Sequence, residues 1–274
     1  MTTALMVALL MVGSLGPNGF PEIKGTESSL HDNRQEAERL WELAITAKGG
    51  RERLYAVNNL QISIREKVWY KFRRVPYIEE DLYVFPNKFW EWNDQKTTIF
   101  GFSLEMYNQD RAINLWYTDH GKGAHMGRPF DLVHGKAALI RLYDVQLRYF
   151  METKWVKPIP ISVHKAKLGR NSVDIVQTIV KGYPTKDGND EERIAFALDQ
   201  KTHLPLKVIY YTVTFGKKYS GGIPLSDYVD VAGIQMPSKV YDLRSIYQIN
   251  VDYDEQILVR DPNVEAGIKQ WSKK

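Results

Sequence analysis

The sequence predicts a mainly β protein with helices (α+β), built around an antiparallel sheet of about eleven strands. Residues 60–72 alternate between apolar and polar side chains, which is the pattern of a half-buried antiparallel strand. Short segments of similar character follow at close intervals, with turn residues between them. This spacing is typical of a meander and not of βαβ units. Aromatic residues make up 12% of the chain, and they favour strands.

The strand predicted over 60–72 is the clearest element. Its even positions are apolar except for Glu66, and its odd positions are polar except for Trp69. At 13 residues it is about twice as long as a usual strand. Long, tilted strands are typical of strongly curved sheets and barrels.

Two longer helices are predicted, one before the strands and one that interrupts them. The first is predicted to begin at a cap formed by Asp32 or Asn33, because a short polar side chain accepts a hydrogen bond from the first free amides. It ends at Gly49-Gly50, and a short helical turn follows over 51–57. The second is predicted over 130–150, and its apolar stripe is expected to cover the sheet.

The N-terminus resembles a secretory signal. Ala4 to Val12 is a continuous apolar run, shorter than the roughly 20 residues that span a membrane, and small residues follow it as at a cleavage site. No Lys or Arg precedes the run. We therefore expect a protein of the periplasm or a secreted protein, divided into a signal peptide, a linker, one domain and a C-terminal tail or short helix, over residues 1–14, 15–31, 32–261 and 262–274.

Composition excludes several classes of function. The 37 basic and 33 acidic residues are interspersed along the chain, whereas nucleic-acid binders cluster Lys and Arg on one element, so no nucleic-acid partner is predicted. Cysteine is absent. Its absence excludes a thiol nucleophile, cysteine-ligated zinc, an iron–sulfur cluster and a lipoprotein's anchor cysteine.

Nothing in the remaining motifs predicts catalysis, a metal or a cofactor. His120, His125 and His134 lack the spacing and the accompanying carboxylate of a metal motif. The glycine-rich segments 121–123 and 220–222 do not lie between a strand and a helix, as a phosphate-binding loop does. A hydrolase with an unrecognised site stays open as a further alternative.

Acidic residues in two predicted strands need separate interpretation. Alternation places Glu79 and Asp81 of the triplet Glu79-Glu80-Asp81 on the solvent face. Glu66 lies on the apolar face of its strand, where a buried carboxylate must pair or take up a proton. It either binds an arginine or a ligand head group, or marks the rim where the strand meets water.

Three segments together resemble a known family. They are the helix and turn of 38–50, the hairpin residues 198–208 with Asp199, Thr202 and Pro205, and the hairpin residues 227–240 with Gly233. They are similar to the corresponding segments of exported proteins related to the outer-membrane lipoprotein-sorting carriers, the LolA/LolB-like family. The resemblance covers most of residues 33–260, and its motifs specify turns and not chemistry.

The resemblance implies an open, strongly curved antiparallel sheet, an incomplete β-barrel lined with apolar side chains and partly closed by helices. In the carriers that cavity holds acyl chains. This chain is longer than a typical carrier, and the helix over 130–150 is an added element. Because of this difference from the carriers, the resemblance does not by itself imply acyl-chain transport, since one fold serves many functions.

From the apolar face and the two helices we predict a non-enzymatic protein that binds an apolar ligand, a lipid or a lipoprotein acyl chain. The predicted ligand-binding residues are Ile62, Ile64, Glu66, Val68, Tyr70, Trp90 and Trp92. The alternative is an envelope interaction or sensor protein with a filled barrel, which uses the same sheet to bind a protein partner. Ionisable groups converging on the predicted concave face would count against the apolar-ligand interpretation.

Overall fold

The computed structural model describes residues 27–70, 72–95, 101–108, 112–117, 124–126, 132–184, 191–214 and 217–258. The helices are α1 (Glu27–Ala47), α2 (Arg51–Tyr55) and α3 (Leu132–Phe150), and a 3-10 turn spans Glu255–Leu258. The predicted signal peptide and C-terminal tail lie outside the described residues. Among the described residues, no helix combines the length and the apolar character needed to cross a membrane.

Thirteen strands are described, two more than the sequence predicts. They are β1 (Asn59–Tyr70), β2 (Arg73–Val84), β3 (Lys88–Gln95), β4 (Gly101–Tyr107), β5 (Ala112–Tyr117), β6 (Ala124–Met126), β7 (Ile159–Leu168), β8 (Asn171–Lys181), β9 (Glu191–Asp199), β10 (Pro205–Thr214), β11 (Lys217–Val231), β12 (Ile234–Val240) and β13 (Leu243–Ile249). The described strand pairs are antiparallel. The prediction of a mainly β protein with helices and an open antiparallel sheet is confirmed.

The chain divides into two compact units. The first contains the described residues up to Ala56 together with Val145–Asp242, and the second contains Val57–Asp144 and the described residues from Leu243. In the first, the strands run in the order β7-β8-β9-β10-β11-β12; in the second, the order is β6-β5-β4-β3-β2-β1-β13. In the described pairings of each unit, the first strand of the order does not pair with the last, so neither row of strands closes on itself.

Helix α1 provides the core of the first unit. It packs against β7 and β8, and the buried ring of Trp41 lies edge-on to Phe196 of β9 with ring centroids 5.1 Å apart. The helix begins at Glu27 and not at the predicted cap. Asn33 has another role, because its Oδ1 accepts a hydrogen bond of 2.7 Å from the backbone N–H of Val163 on β7.

Glu152 anchors α1 and α2 in the first unit. Its carboxylate accepts hydrogen bonds from Trp41 Nε1 at 3.0 Å, Arg51 Nε at 2.8 Å and Tyr55 Oη at 2.5 Å. Burial alone would raise the pKa of Glu152, but these donors outweigh it and hold the pKa below its usual value. The buried carboxylate therefore stays ionised at neutral pH, with its charge neutralised by Arg51.

The end of α1 is joined to β12 by a close backbone approach. Gln235 N donates to the carbonyl of Lys48 at 2.9 Å, and the buried ammonium of Lys48 donates to the carbonyl of Gln235. Burial lowers the pKa of Lys48 to about 7. A Cβ atom on Gly49 would lie 2.2 Å from the carbonyl oxygen of Gly233, so this contact requires glycine at position 49.

The hairpin turns that the sequence singled out form as predicted. Asp199 Oδ1 accepts the backbone N–H groups of Lys201 and Thr202, each at 2.9 Å. Between β11 and β12, Ala232 and Gly233 both have positive φ, 53° and 79°, as a tight two-residue hairpin turn requires.

In the second unit, β1 and β2 form a long hairpin that ends in an exposed tip. The side chain of Phe72, predicted to lie on the apolar face, is 99% exposed in the turn, and Trp69 is 70% exposed. The guanidinium of Arg74 lies 5.7 Å from the centroid of the Trp69 ring. The even-numbered face of β1 is buried only as far as Ile64, and it becomes half-buried at Glu66 and Val68.

We predict that Glu152→Gln lowers the free energy of unfolding by about 1.5–3 kcal/mol at pH 7, the range for hydrogen bonds to a charged group. Because the folded pKa of Glu152 is depressed, the advantage of the wild type is fully present above the ordinary value of 4.5 and is lost as the pH falls through the folded pKa. Urea unfolding between pH 3 and pH 7 measures this.

Glu42→Gln is the matched control for Glu152→Gln. Glu42 also binds Arg51, at 2.9 Å, but its side chain is 60% exposed, and an exposed ion pair contributes about 0–1 kcal/mol. Equal losses in the two variants would contradict the anchoring role of Glu152.

Candidate functional site: an acidic cluster on the sheet of the second unit

The predicted ligand-binding residues do not all share one surface. Ile62 and Ile64 are buried on the even face of β1, with half-buried Glu66 and Val68 further along. The structure does not describe the side chain of Tyr70. Whether any of these residues binds a ligand stays a prediction.

Trp90 and Trp92 lie on the opposite face of the sheet, which corrects the expectation that they line the same surface as Ile62 and Ile64. The pairing sets Ile62 opposite Asp81 and Asp81 opposite Glu91, and residues directly opposite share a face. The even residues of β3 therefore face away from Ile62. The hairpin turns determine whether the even or the odd residues of β3 share the face of Ile62, since a shift of one residue in the pairing moves every side chain to the other face.

Carboxylates lie on the Ile62 face where the sequence predicted apolar side chains. Asp81 on β2, Glu91 on β3 and Glu105 on β4 are directly opposite one another across three strands. Glu79, two residues from Asp81, lies on the same face. We call Glu79, Asp81, Glu91 and Glu105 the acidic cluster.

The solvent-face prediction for Glu79 and Asp81 is wrong, because Asp81 is only 3% exposed and Glu79 is half-buried. Val75, Tyr77 and Tyr83 share their odd parity on β2 and are buried. These apolar and aromatic residues are the feature of the sequence from which the correct orientation could have been predicted, because they place the odd positions of β2 toward the interior.

One cation neutralises part of the cluster. Arg141, on α3, donates from Nη1 to Glu91 Oε2 at 2.7 Å and to Glu105 Oε2 at 2.5 Å. Its guanidinium also lies 5.4 Å from the centroid of the Phe89 ring. The two carboxylates raise the pKa of Arg141 despite its burial, so it stays charged. In the described part of the chain, no Lys or Arg forms an ion pair with Glu79 or Asp81.

Among the described residues, the other two carboxylates, those of Glu79 and Asp81, have only uncharged hydrogen-bond donors near them, and these donors do not satisfy every acceptor. Tyr77 Oη donates to Glu79, and Asn93 Nδ2 lies 3.2 Å from Glu79 Oε2 and 2.9 Å from Tyr77 Oη. Tyr83 Oη lies 3.5 Å from both Asp81 Oδ2 and Glu91 Oε2. Because a hydroxyl has one hydrogen, Tyr83 can donate to only one of these oxygens.

Asp81 is the least satisfied member of the cluster. Its Oδ1 is buried and has no hydrogen-bond partner among the described residues. Burial raises the pKa of Asp81 well above its ordinary value, and the charges of Glu79 and Glu91 raise it further while Arg141 lowers it. Burial also raises the pKa of Glu91, to about 7, against the opposing effect of Arg141. Asp81 and Glu91 therefore hold protons near neutral pH.

Apolar side chains lie on the same face beside the acidic cluster. Tyr83, Phe89 and Tyr107 form a row across β2, β3 and β4, with successive ring centroids 5.9 Å and 6.2 Å apart. On the other side of β2, Ile62 and Ile64 lie opposite Asp81 and Glu79. The face is thus amphipathic, with aliphatic and aromatic groups bordering acidic ones.

The geometry does not suit a metal centre in the part of the chain that the structure describes, where no three acidic or histidine side chains are placed to hold an ion. His120 lies outside the described residues. His125 and His134 lie in β6 and α3, and their side chains are not described.

Comparison with known proteins returns structural similarity alone. No family model matches the sequence, and no curated protein matches it. The chain is similar to a DUF1329 family protein from Desulfovibrio piger, with 8% identity, a TM-score of 0.45, and 81% of this chain and 96% of the other covered.

Two further solved structures are similar. An outer membrane lipoprotein-sorting protein domain from Vibrio parahaemolyticus has 14% identity and a TM-score of 0.43, with 83% of this chain and 98% of the other covered. A LolA superfamily protein from Nitrosomonas europaea has 10% identity and a TM-score of 0.42, with coverages of 82% and 98%.

We predict that Asp81→Asn is more stable than the wild type at pH 8. Above the ordinary pKa of 3.8, the unfolded chain releases a proton that folded Asp81 retains, so the stability of the wild type falls as the pH rises toward the folded pKa. Asparagine carries no charge and avoids this loss, which amounts to at most about 1.4 kcal/mol per pH unit. Urea unfolding at pH 4, 6 and 8 measures the difference.

Glu80→Gln is the matched control, because Glu80 is the neighbouring residue on the opposite face, where it binds Ser63 and Arg65. It is expected to give no stabilisation at pH 8. If Asp81→Asn is no more stable than the wild type at pH 8, the raised pKa assigned to Asp81 is contradicted.

Proposed function

We propose that the protein is an exported, non-enzymatic binding protein for a ligand with an apolar chain, such as a lipid or a lipoprotein acyl chain. The observation that carries the proposal is the amphipathic face of the second unit, where Ile62 and Ile64 of β1 lie beside the acidic cluster and Val68 lies further along the same strand. Burying each CH₂ group contributes about 0.8 kcal/mol. An acyl chain therefore binds such a surface without any catalytic group.

The acidic cluster restricts the chemistry of the ligand that this face can bind. A purely apolar molecule would leave the buried Oδ1 of Asp81 without a partner, and would add to the cost of keeping that carboxylate away from water. A ligand with an apolar chain and a polar head suits the face better than a hydrocarbon alone. The ionisable groups that converge on this face count against a purely apolar ligand and correct the expectation of a clean apolar face, so the proposal keeps only the chain-binding role of β1.

Export is part of the proposal and rests on the N-terminal sequence. The apolar run from Ala4 to Val12 and the small residues that follow it support a cleaved signal over 1–14. The same purification tests export and ligand binding, because the mass of the protein from an envelope extract shows whether these residues have been removed.

We predict that native mass spectrometry of the protein from its own envelope detects bound lipid, which organic extraction releases. Val68→Asp is expected to reduce the bound fraction at least tenfold, because burying a side chain of this size contributes about 1.5–3 kcal/mol. Val68 is half-buried at the accessible end of the face, so the change leaves the core intact.

Ile246→Asp is the matched control for Val68→Asp. Ile246 pairs with Ser63, on the opposite face of the same sheet, and is 69% exposed. Recovery of no lipid from the wild type, or the same loss in both variants, would remove the support for ligand binding at this face.

The tip of the β1–β2 hairpin favours a second candidate function, binding of an envelope protein partner. Phe72 and Trp69 are large, exposed aromatic side chains, and Arg74 lies over Trp69. Aromatic residues and arginine are enriched at protein interfaces. This candidate uses the end of the sheet, not the face predicted from the sequence.

We predict that a photo-crosslinking residue at position 72 gives a discrete adduct with one protein in intact cells, whereas the same residue at Ile246 gives none. Both positions are exposed in the same unit. A matching pattern of adducts at the two positions, or no adduct at position 72, would argue against a partner at the tip.

A further inference from the structure

We infer that the acidic cluster binds the primary ammonium head of an amphipathic ligand whose chain lies on the neighbouring apolar surface. The inference rests on the proposed function, since it assigns the head group of the ligand for which that function assigns the chain. It starts from an imbalance of charge. Four carboxylates of β2, β3 and β4 lie on one face, with Glu66 of β1 further along it, and the guanidinium of Arg141 binds Glu91 and Glu105.

Asp81 provides an independent indication of a ligand. Its Oδ1 is buried, has no hydrogen-bond partner in the described part of the chain, and lies on the face that Glu79 and Glu91 share. Buried acceptors in proteins are nearly always paired. An ammonium group offers three donors, enough to bind Asp81 Oδ1 and to reach the carboxylates of Glu79 and Glu91 beside it.

Organic cations fit this site better than metal ions or anions. The described residues offer no group of three ligands placed for a metal, and a carboxylate or phosphate head would meet like charges. The aromatic rings of Tyr77, Tyr83 and Phe89 lie on the same face as the acidic cluster. Aromatic rings attract ammonium groups but not anions.

Binding of an ammonium group is coupled to proton release. The titratable and charged groups on β2, β3, β4 and α3 that share this face with Asp81 are Arg73, Tyr77, Glu79, Tyr83, Glu91, Glu105, Tyr107 and Arg141. The β1 residues directly opposite Asp81 and Glu79 are Ile62 and Ile64, which carry no charge, and Glu66 of β1 and Tyr247 of β13 lie next to them on the same face. A bound cation favours the ionised carboxylates, so the affinity for an amine increases as the pH rises from 6 to 8.

Three probes with the same twelve-carbon chain separate the head from the chain. Dodecylamine, dodecanol and dodecanoate are titrated into the full-length protein at pH 7.5, below their critical micelle concentrations, by displacement of a fluorescent apolar probe. We expect dodecylamine to bind about tenfold more tightly than dodecanol, and dodecanoate to bind more weakly than either. Asp81→Asn is expected to remove the preference for the amine, so that dodecylamine and dodecanol bind with similar affinity.

Glu80→Gln serves as the control, because it removes a neighbouring carboxylate from the opposite face and should keep the preference for the amine. Equal affinity for dodecylamine and dodecanol, or a preference that survives Asp81→Asn, would overturn the ammonium assignment and leave the proposed function standing. If none of the three probes binds, both the assignment and the proposed function fail.

Discussion

The stability of the second unit depends on how its few positive charges are placed among its buried carboxylates. Arg141 reaches Glu91 and Glu105 from α3, at 2.7 Å and 2.5 Å, and this bifurcated contact allows two strands to turn acidic side chains inward. A buried carboxylate without such a partner is costly and takes up a proton instead. Asp81 is in that position, and the physical cost it imposes is the reason to look for function at this place.

The first unit also buries charged groups, but it provides each of them with hydrogen-bond partners of its own. Glu152 is also buried, but Trp41, Arg51 and Tyr55 all donate to it, so its pKa is lowered and not raised. The buried amine of Lys48 finds a backbone carbonyl and lies 5.3 Å from the centroid of the Tyr228 ring. These groups are satisfied by their own unit, and they act as structural anchors. The contrast with Asp81 distinguishes a polar group that is fully paired within its own unit from one whose Oδ1 has no partner among the described residues.

Much of the fold was readable from local patterns. The alternation of 60–72, the helix ending at Gly49-Gly50, and the turns at Asp199 and Gly233 all appear in the structure because each depends on residues close in sequence. The start of α1 was wrong because Asn33, a good cap residue by composition, binds Val163 across the unit. Candidate-site prediction was weaker. Ile62 and Ile64 lie on the face beside the acidic cluster, but Trp90 and Trp92 do not, and Arg141 gave no local signal.

The amino-acid sequence by itself determined the strand and helix content, the main turns, and which face of β1 is apolar, since periodicity and turn chemistry act over a few residues. Only the tertiary structure decided that Asp81, Glu91 and Glu105 lie opposite one another and that Arg141 reaches two of them. The reason is that pairing register and helix placement depend on contacts between residues far apart in the chain. A shift of one residue would have turned the same carboxylates to solvent.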